Sequence, residues 1–201
     1  MTQDRNTEDI IFEAAREVFH EQGYEGARMQ EIARRAGINQ SMLHYYFRTK
    51  DKLFEAVFQR AALAVVPPVI AILKSDLPLL EKIERLVHGY IDLIVANPHV
   101  PAFILQELRR NPEGLRQMVG LHTQGVFDKV SGQVHAAVAA GEIRPIEPEQ
   151  LFANVMSLVV FPFIARPMLQ TVFGCDDAAY AALLDARKHG VTGFILNALV
   201  P

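Results

Sequence analysis

Gln30-Glu-Ile-Ala-Arg-Arg-Ala-Gly-Ile-Asn-Gln-Ser-Met-Leu-His-Tyr-Tyr-Phe47 is the stretch whose pattern decides the fold. Ile32, Ala33 and Ala36 give one helix an inner face, and the small members let a second helix approach closely. Gly37 permits a sharp turn, Ile38 plugs it, and Asn39 can cap the helix that follows. Leu43 and Phe47 bury that short helix, Gln40 to Tyr46, and leave Gln40, Ser41, Met42, His44 and Tyr45 facing outward. In a helix-turn-helix, a short helix held by others places such side chains in the major groove. The same pattern occurs in all-α proteins that touch no nucleic acid, so on the pattern alone both readings stay open.

On either side of this stretch the periodicity is helical nearly throughout, with no convincing strand alternation and no repeat. Ile11, Ala14, Ala15, Val18 and Phe19 form a first-helix stripe that Thr7 can cap and Gly23 ends. The second helix runs from about Arg28 to Ala36. Thr49 caps a fourth that starts at Lys50, and Pro67-Pro68 must break or kink it. Further helices are expected from Pro78 to Asn97, from Pro98 to Asn111, over 113–140, over 149–171, and from Cys175 to near the C-terminus. The sequence thus predicts an all-α chain of about nine helices. Residues 1–52 form a three-helix helix-turn-helix domain, and residues 53–201 form a larger helical domain.

The net charge is −3, which excludes a uniformly basic coat. Residues 26–52 nevertheless carry Arg28, Arg34, Arg35, Arg48, Lys50 and Lys52 against only Glu31 and Asp51, a local basic patch in an acidic protein. Gln40 can read adenine by donating and accepting at once, Ser41 allows close approach, and Met42 can touch a thymine methyl. His44 and Tyr45 can donate to phosphates or base edges. Lys50, beside a helix N-terminus, suits a phosphate, as does Arg28 at the start of the second helix.

A single cysteine, Cys175, excludes an intrachain disulfide and a multi-thiolate metal site. The scattered histidines have no ligand spacing, so no metal and no cofactor is implied. No phosphate loop, HExxH, nucleophile elbow or dinucleotide fingerprint is present, which argues against an enzyme. An interaction module that binds a protein and never DNA stays a third class, and the basic patch weighs against it. The polar, acidic N-terminus lacks an apolar core of a signal peptide, and the apolar run from Gln150 to Ala165 is short for a membrane span. These features predict a cytoplasmic protein without a membrane partner.

Thr7-Glu-Asp-Ile-Ile-Phe-Glu-Ala-Ala-Arg-Glu-Val-Phe19, Gly23-Tyr24, Glu31-Ile-Ala-Arg-Arg-Ala-Gly-Ile38 and Leu43-His-Tyr-Tyr-Phe-Arg-Thr-Lys50 together resemble the DNA-binding domain of TetR-type bacterial transcription regulators, in order and without gaps. The resemblance covers about a quarter of the chain. It implies that Gln40 to Tyr45 face a double-stranded DNA operator and that Lys50 holds a phosphate. Three departures stand out: Met42 where a small hydroxyl residue is usual, a His44-Tyr45 order that reverses the common one, and Arg28 where Ser or Thr is frequent.

The resemblance further implies that the remaining helices form a ligand pocket and a dimer interface. The expected protein is a homodimeric repressor of a palindromic operator, released by a small, mostly apolar organic effector. Tyr180, Leu183, Leu184, Arg187, Val191, Phe194, Ile195, Ala198 and Leu199 form a last-helix stripe that suits a dimer, although it can equally pack within one chain. Polar groups among large apolar ones mark pocket candidates: Phe103, Gln106 and Glu107, then Met118 and His122, then Phe152, Met156 and Phe163, with Arg166 beyond. For each of these, core packing is the competing explanation.

Overall fold

The alternation of apolar stripes and breakers produces eleven helices among the described residues of the computed structural model. Described are residues 2–123 and 125–201, with all side chains except those of 2–6, 118, 119, 121 and 122. In chain order the helices are α1 (Thr2–Gly26), α2 (Met29–Arg35), α3 (Gln40–Tyr46), α4 (Lys50–Lys74), α5 (Leu79–Ala96), α6 (Val100–Arg110), α7 (Pro112–Thr123), α8 (Val126–Ala139), α9 (Pro148–Ile164), α10 (Arg166–Phe173) and α11 (Asp177–Leu199).

Two more helices appear than the nine expected, each from a break inside a predicted one. The 113–140 segment divides at Gly125, whose φ of 70° no other residue type adopts cheaply, so α7 ends and α8 begins there. The 149–171 segment divides at Ala165, and α9 and α10 meet at a bend of 76°. Two other expectations also shift. Helix α1 begins at Thr2 instead of after Thr7, and is interrupted by a non-helical Gly23. Helix α4 runs on through Pro67 and Pro68. Both prolines are exposed, as are Leu63 and Ala64, whose carbonyls lose their helical donors, so water can serve those groups.

The chain divides into two compact units. The first comprises Met1–Leu63 and Ala102–Leu115, so it extends along α4 and takes in most of α6. Its core joins the α1 stripe (Ile11, Ala14, Ala15, Val18, Phe19) to Ile32, Leu43, Leu53, Phe54, Val57 and Phe103, all buried. An aromatic cluster lies at its centre. Phe54 meets Phe19, Tyr24 and Phe103 edge-on, with ring centroids 5.0, 5.2 and 6.0 Å apart.

The second unit comprises Ala64–Pro101 and Arg116–Pro201. Within it α5 buries one face (Leu79, Ile83, Leu86, Val87, Tyr90, Ile91, Ile94) against α8, α9 and α11. A buried cation lies here that the sequence did not announce. Lys82 is 1 % exposed and forms no ion pair among the described residues, Asp76 acting on it only through space; its Nζ donates to the carbonyls of Leu73 and Ser75 and to Gln133 Oε1 at 3.0, 2.8 and 2.6 Å. It thereby caps the C-terminal end of α4, where the helix dipole favours positive charge, while burial holds its pKa below the usual lysine value.

By length and composition α4 is apolar enough to cross a membrane, and α9 with α10 would pass as a bent pair. Much of that apolar content is core: Leu53, Phe54, Val57, Phe58, Ala61 and Ala62 are buried.

Candidate nucleic-acid interface

The short helix α3 is too brief to be stable alone, so its neighbours must hold it. Leu43 is fully buried and Phe47 nearly so, the latter meeting Phe12 edge-on at 5.6 Å. The turn before it needs a left-handed residue, and Gly37 supplies a φ of 66°. Asn39 caps α3 as expected, its Oδ1 accepting from the Met42 N–H at 2.7 Å. Thr49 caps α4 by accepting from the Lys52 N–H at 3.2 Å.

Gln40, Ser41, Met42, His44 and Tyr45 are all exposed on this anchored helix, Tyr45 at 83 %. The structure therefore brings the five predicted side chains to one surface. Gln40 and His44 also touch each other, and His44 reaches the carbonyl of Arg48. Arg28 occupies the N-cap position of α2 with an extended backbone and makes no side-chain cap, so its exposed guanidinium is not spent on the helix.

Lys50 sits differently from expectation. Its Nζ donates to the carbonyls of Tyr24, Ala27 and Glu25 at 2.8, 3.3 and 3.5 Å and lies 4.4 Å from the Tyr24 ring centroid. The ammonium thus ties the start of α4 to the end of α1, and a phosphate would meet its charge instead of a free N–H.

The basic patch is partly neutralised. Arg34 and Arg35 both pair with Glu31, and Arg35 also reaches Glu21 at 2.6 Å and Glu17 at 3.8 Å. Lys52 pairs with Glu55 at 3.0 Å. Arg28 and Arg48 enter no ion pair among the described residues. The hydrogen bonds from Arg34 and Arg35 hold the Glu31 pKa down to about 2. A carboxylate lowered in the folded state stabilises above its unfolded value, and that contribution disappears as pH falls toward the folded one. Acid unfolding should therefore show wild type more stable than Glu31→Gln at neutral pH, with the two curves converging between about pH 4.5 and 2. A constant offset at every pH would exclude the ion-pair origin.

One set of residues in this unit escaped sequence reasoning. Arg110 of α6 donates from Nη1 to Asp51 Oδ1 at 2.9 Å and from Nε and Nη2 to Glu107 Oε2 at 3.1 and 3.0 Å. Its guanidinium lies over the rings of Tyr24 and Phe54 at 5.1 and 5.0 Å. Tyr24 in turn donates to Asp51 Oδ1 at 2.6 Å. Burial, then the Asp51 hydrogen bond, pushes the Tyr24 pKa up to about 12. The Tyr24 bond and the Arg110 charge hold Asp51 below the usual carboxylate range. No local pattern signals this, because Arg110 and Asp51 stand 59 residues apart.

The pocket candidates are divided between the two units. Phe103 and Glu107 belong to the first unit, the one in the aromatic core and the other paired with Arg110. Gln106 is there as well, its buried Oε1 without a hydrogen-bond partner. Phe152, Met156 and Phe163 lie on α9 in the second unit; Phe152 is exposed and edge-on to Phe127 at 6.3 Å, and the other two are half-buried. Arg166 pairs with Asp177 at 2.8 Å. The side chains of Met118 and His122 lie outside the described residues.

The α11 stripe also divides. Tyr180, Leu184, Val191, Ile195 and Leu199 are buried within the unit, Tyr180 donating to the Pro162 carbonyl at 2.8 Å. Leu183, Ala186, Arg187, Gly190 and Phe194 instead line an open groove with Leu158 of α9, and Phe194 is 66 % exposed.

An all-helical chain that fixes a short helix by its apolar side and leaves its polar side open after a glycine turn defines a helix-turn-helix protein. The family model described as "Bacterial regulatory proteins, tetR family" matches residues 11–57, and the one described as "Tetracyclin repressor-like, C-terminal domain" matches residues 80–192. The chain belongs to the TetR family of DNA-binding transcriptional regulators, which are not enzymes. It is 31 % identical over 185 residues to the HTH-type transcriptional repressor NicS of Pseudomonas putida, covering 89 % of this chain and 86 % of that one. Its fold is similar to that of HlyIIR, a hemolysin II transcriptional regulator, with a TM-score of 0.67, 22 % identity and 98 % of each chain covered. It is also similar to AibR in complex with isovaleryl coenzyme A and operator DNA, with a TM-score of 0.63, 19 % identity, and 78 % and 85 % of the two chains covered.

Proposed function

We propose that this protein is a homodimeric repressor that binds a palindromic operator through Gln40, Ser41, Met42, His44 and Tyr45. Arg28 and Lys50 bring positive charge to the phosphates. The observation that carries this reading is the exposure of all five side chains on a helix whose Leu43 is fully buried. Two-fold pairing suits DNA because two recognition helices can then meet successive major grooves, about 34–36 Å apart. Selection of binding duplexes from a randomised pool tests the reading, and inverted half-sites at that spacing are the expected product. Salt titration of the selected duplex should give a slope of about −0.9 in log K against log salt for each phosphate neutralised, so Arg28→Ala, which removes one contact from each protomer of the dimer, should flatten it by about 1.8. An unchanged slope would remove Arg28 from the phosphate contacts.

For the dimer, the outward α11 residues take the place of the full stripe. Phe194 and Leu183 offer apolar surface on the groove, whereas Ile195 is buried inside one chain. Leu183→Glu with Phe194→Glu should halve the mass seen by light scattering while leaving helix content intact. A dimer that survives both changes would place the interface elsewhere.

The proposed effector is small, organic and mostly apolar, bound in the second unit near Phe152, Met156 and Phe163, with Met118 and His122 of α7 as further candidates. The complex of AibR with isovaleryl coenzyme A and operator DNA supports an organic effector with an apolar acyl part, although the coenzyme portion of that ligand is charged. The effector must bind the DNA-free geometry better than the DNA-bound one, since equal affinity shifts nothing. A panel of acyl thioesters and fatty acids, read by melting temperature and operator affinity together, tests it.

A further inference from the structure

We propose that His44 is a positioning residue that fixes which way the Gln40 amide faces, and so sets the base selected at that point of the operator. The inference rests on the reading that α3 meets the duplex, and adds a division of labour within it. Gln40 and His44 are four apart on α3, so one lies over the other on a helical face, and the carbonyl of Arg48 returns to His44 from beyond the extended Phe47 that ends the helix.

His44 Nδ1 lies 3.3 Å from the carbonyl oxygen of Arg48. A carbonyl only accepts, so Nδ1 is the protonated nitrogen whenever the ring is neutral. The neutral ring then carries a lone pair on Nε2, and Gln40 Nε2 lies 3.4 Å from it. Two N–H groups cannot face each other, so the amide nitrogen donates to the ring. The chain of contacts runs from the Gln40 N–H to His44 Nε2, and from the His44 Nδ1–H to the Arg48 carbonyl. Both distances are at the long end for hydrogen bonds, so the arrangement biases the amide instead of locking it.

The bias has a chemical consequence. With one N–H turned to the ring, the exposed edge of the Gln40 amide presents one donor beside one acceptor. Adenine offers the complement, an N7 acceptor beside N6–H donors, whereas guanine offers two acceptors, N7 and O6. A ring held as an acceptor at Nε2 therefore favours adenine. A group that only donates would draw the amide oxygen inward and turn both N–H bonds outward, toward the guanine pattern. At that base pair His44 acts through Gln40, whatever contact it makes elsewhere on the duplex.

The test uses the full-length protein and its selected duplex. Gln40→Ala first identifies the base pair whose preference depends on Gln40. Binding constants are then measured with A·T and G·C at that pair for wild type, His44→Ala, His44→Gln and His44→Lys. Ratios are compared, so that the added charge of lysine cancels. Wild type should prefer A·T by about tenfold. His44→Ala should bring the ratio to about threefold or less, His44→Gln should keep it by supplying an acceptor, and His44→Lys should move it toward G·C. In a Gln40→Ala background, His44→Ala should have no further effect on the ratio.

Ratios in the His44 variants equal to wild type, while Gln40→Ala abolishes the preference, would overturn the proposal and leave DNA reading by α3 intact. A loss equal on every duplex, with the A·T to G·C ratio unchanged, would leave His44 a phosphate contact only and overturn it too. So would a Gln40→Ala variant that keeps all preferences. If wild type enriches no sequence from the pool, the DNA-reading role of α3 falls, and this inference with it.

Discussion

Phe54→Ala should destabilise the first unit by about 3–5 kcal/mol, the usual cost of emptying a buried aromatic site. Phe54 is fully buried, and three rings, Phe19, Tyr24 and Phe103, meet it edge-on. They belong to α1, on either side of its break at Gly23, and to α6, so the cavity cannot close by moving one neighbour alone. Domains have a total stability of about 5–15 kcal/mol, so this single change removes a large share. Urea unfolding followed by circular dichroism gives the measurement. Operator affinity should fall in parallel, because α3 depends on this core for its position. Phe54→Leu, which keeps more of the volume, should lose distinctly less. A loss below about 1 kcal/mol for the alanine variant would contradict the packing described.

Arg110→Leu should cost about 3–5 kcal/mol for a different reason. The Glu107 side chain is 4 % exposed, and Arg110 is its ion-pair partner. Removing the guanidinium leaves a buried carboxylate uncompensated, and desolvation of that charge dominates. The Asp51 contact adds little, since the Asp51 side chain is 64 % exposed and solvent screens it. The double variant Arg110→Leu with Glu107→Leu should regain most of the loss, because replacing both members of a buried pair by apolar groups is often nearly neutral. If the double variant is as unstable as the single one, the deficit comes from the lost packing over Tyr24 and Phe54 and not from the stranded charge.

What could be read in advance divides along physical lines. Caps, the glycine turn and the buried positions of α2 and α3 depend on neighbours within a few residues, and Asn39, Gly37 and Leu43 behave as their chemistry dictates. The breaks at Gly125 and Ala165 were harder, since a helical stripe continues across both and only the backbone angles reveal the division. The α11 stripe was legible as apolar, but a stripe does not say which half faces the chain's own core. Lys50 shows the same limit for charge: its type suits a phosphate, yet three carbonyls delivered by the end of α1 take up its donors. Phe103 and Glu107 have the composition of a pocket lining. Their true setting is fixed by contacts with residues about fifty positions earlier in the chain, Phe54 for the ring and, through Arg110, Asp51 for the carboxylate.

The presence of α6 within the first unit bears on how portable that unit is. A fragment ending at residue 63 would retain the whole helix-turn-helix and both of its caps. It would lack Phe103, which closes one side of the aromatic cluster, and Arg110, which bridges to the first turn of α4. The DNA-reading part of this chain is therefore not a cassette encoded by one continuous segment. A chimera that transplants only the N-terminal residues onto another regulator inherits a core with a missing wall, unless the recipient supplies a helix shaped like α6. Exchange of specificity between such proteins is then easier by replacing the exposed side chains of α3 than by moving the segment that carries them.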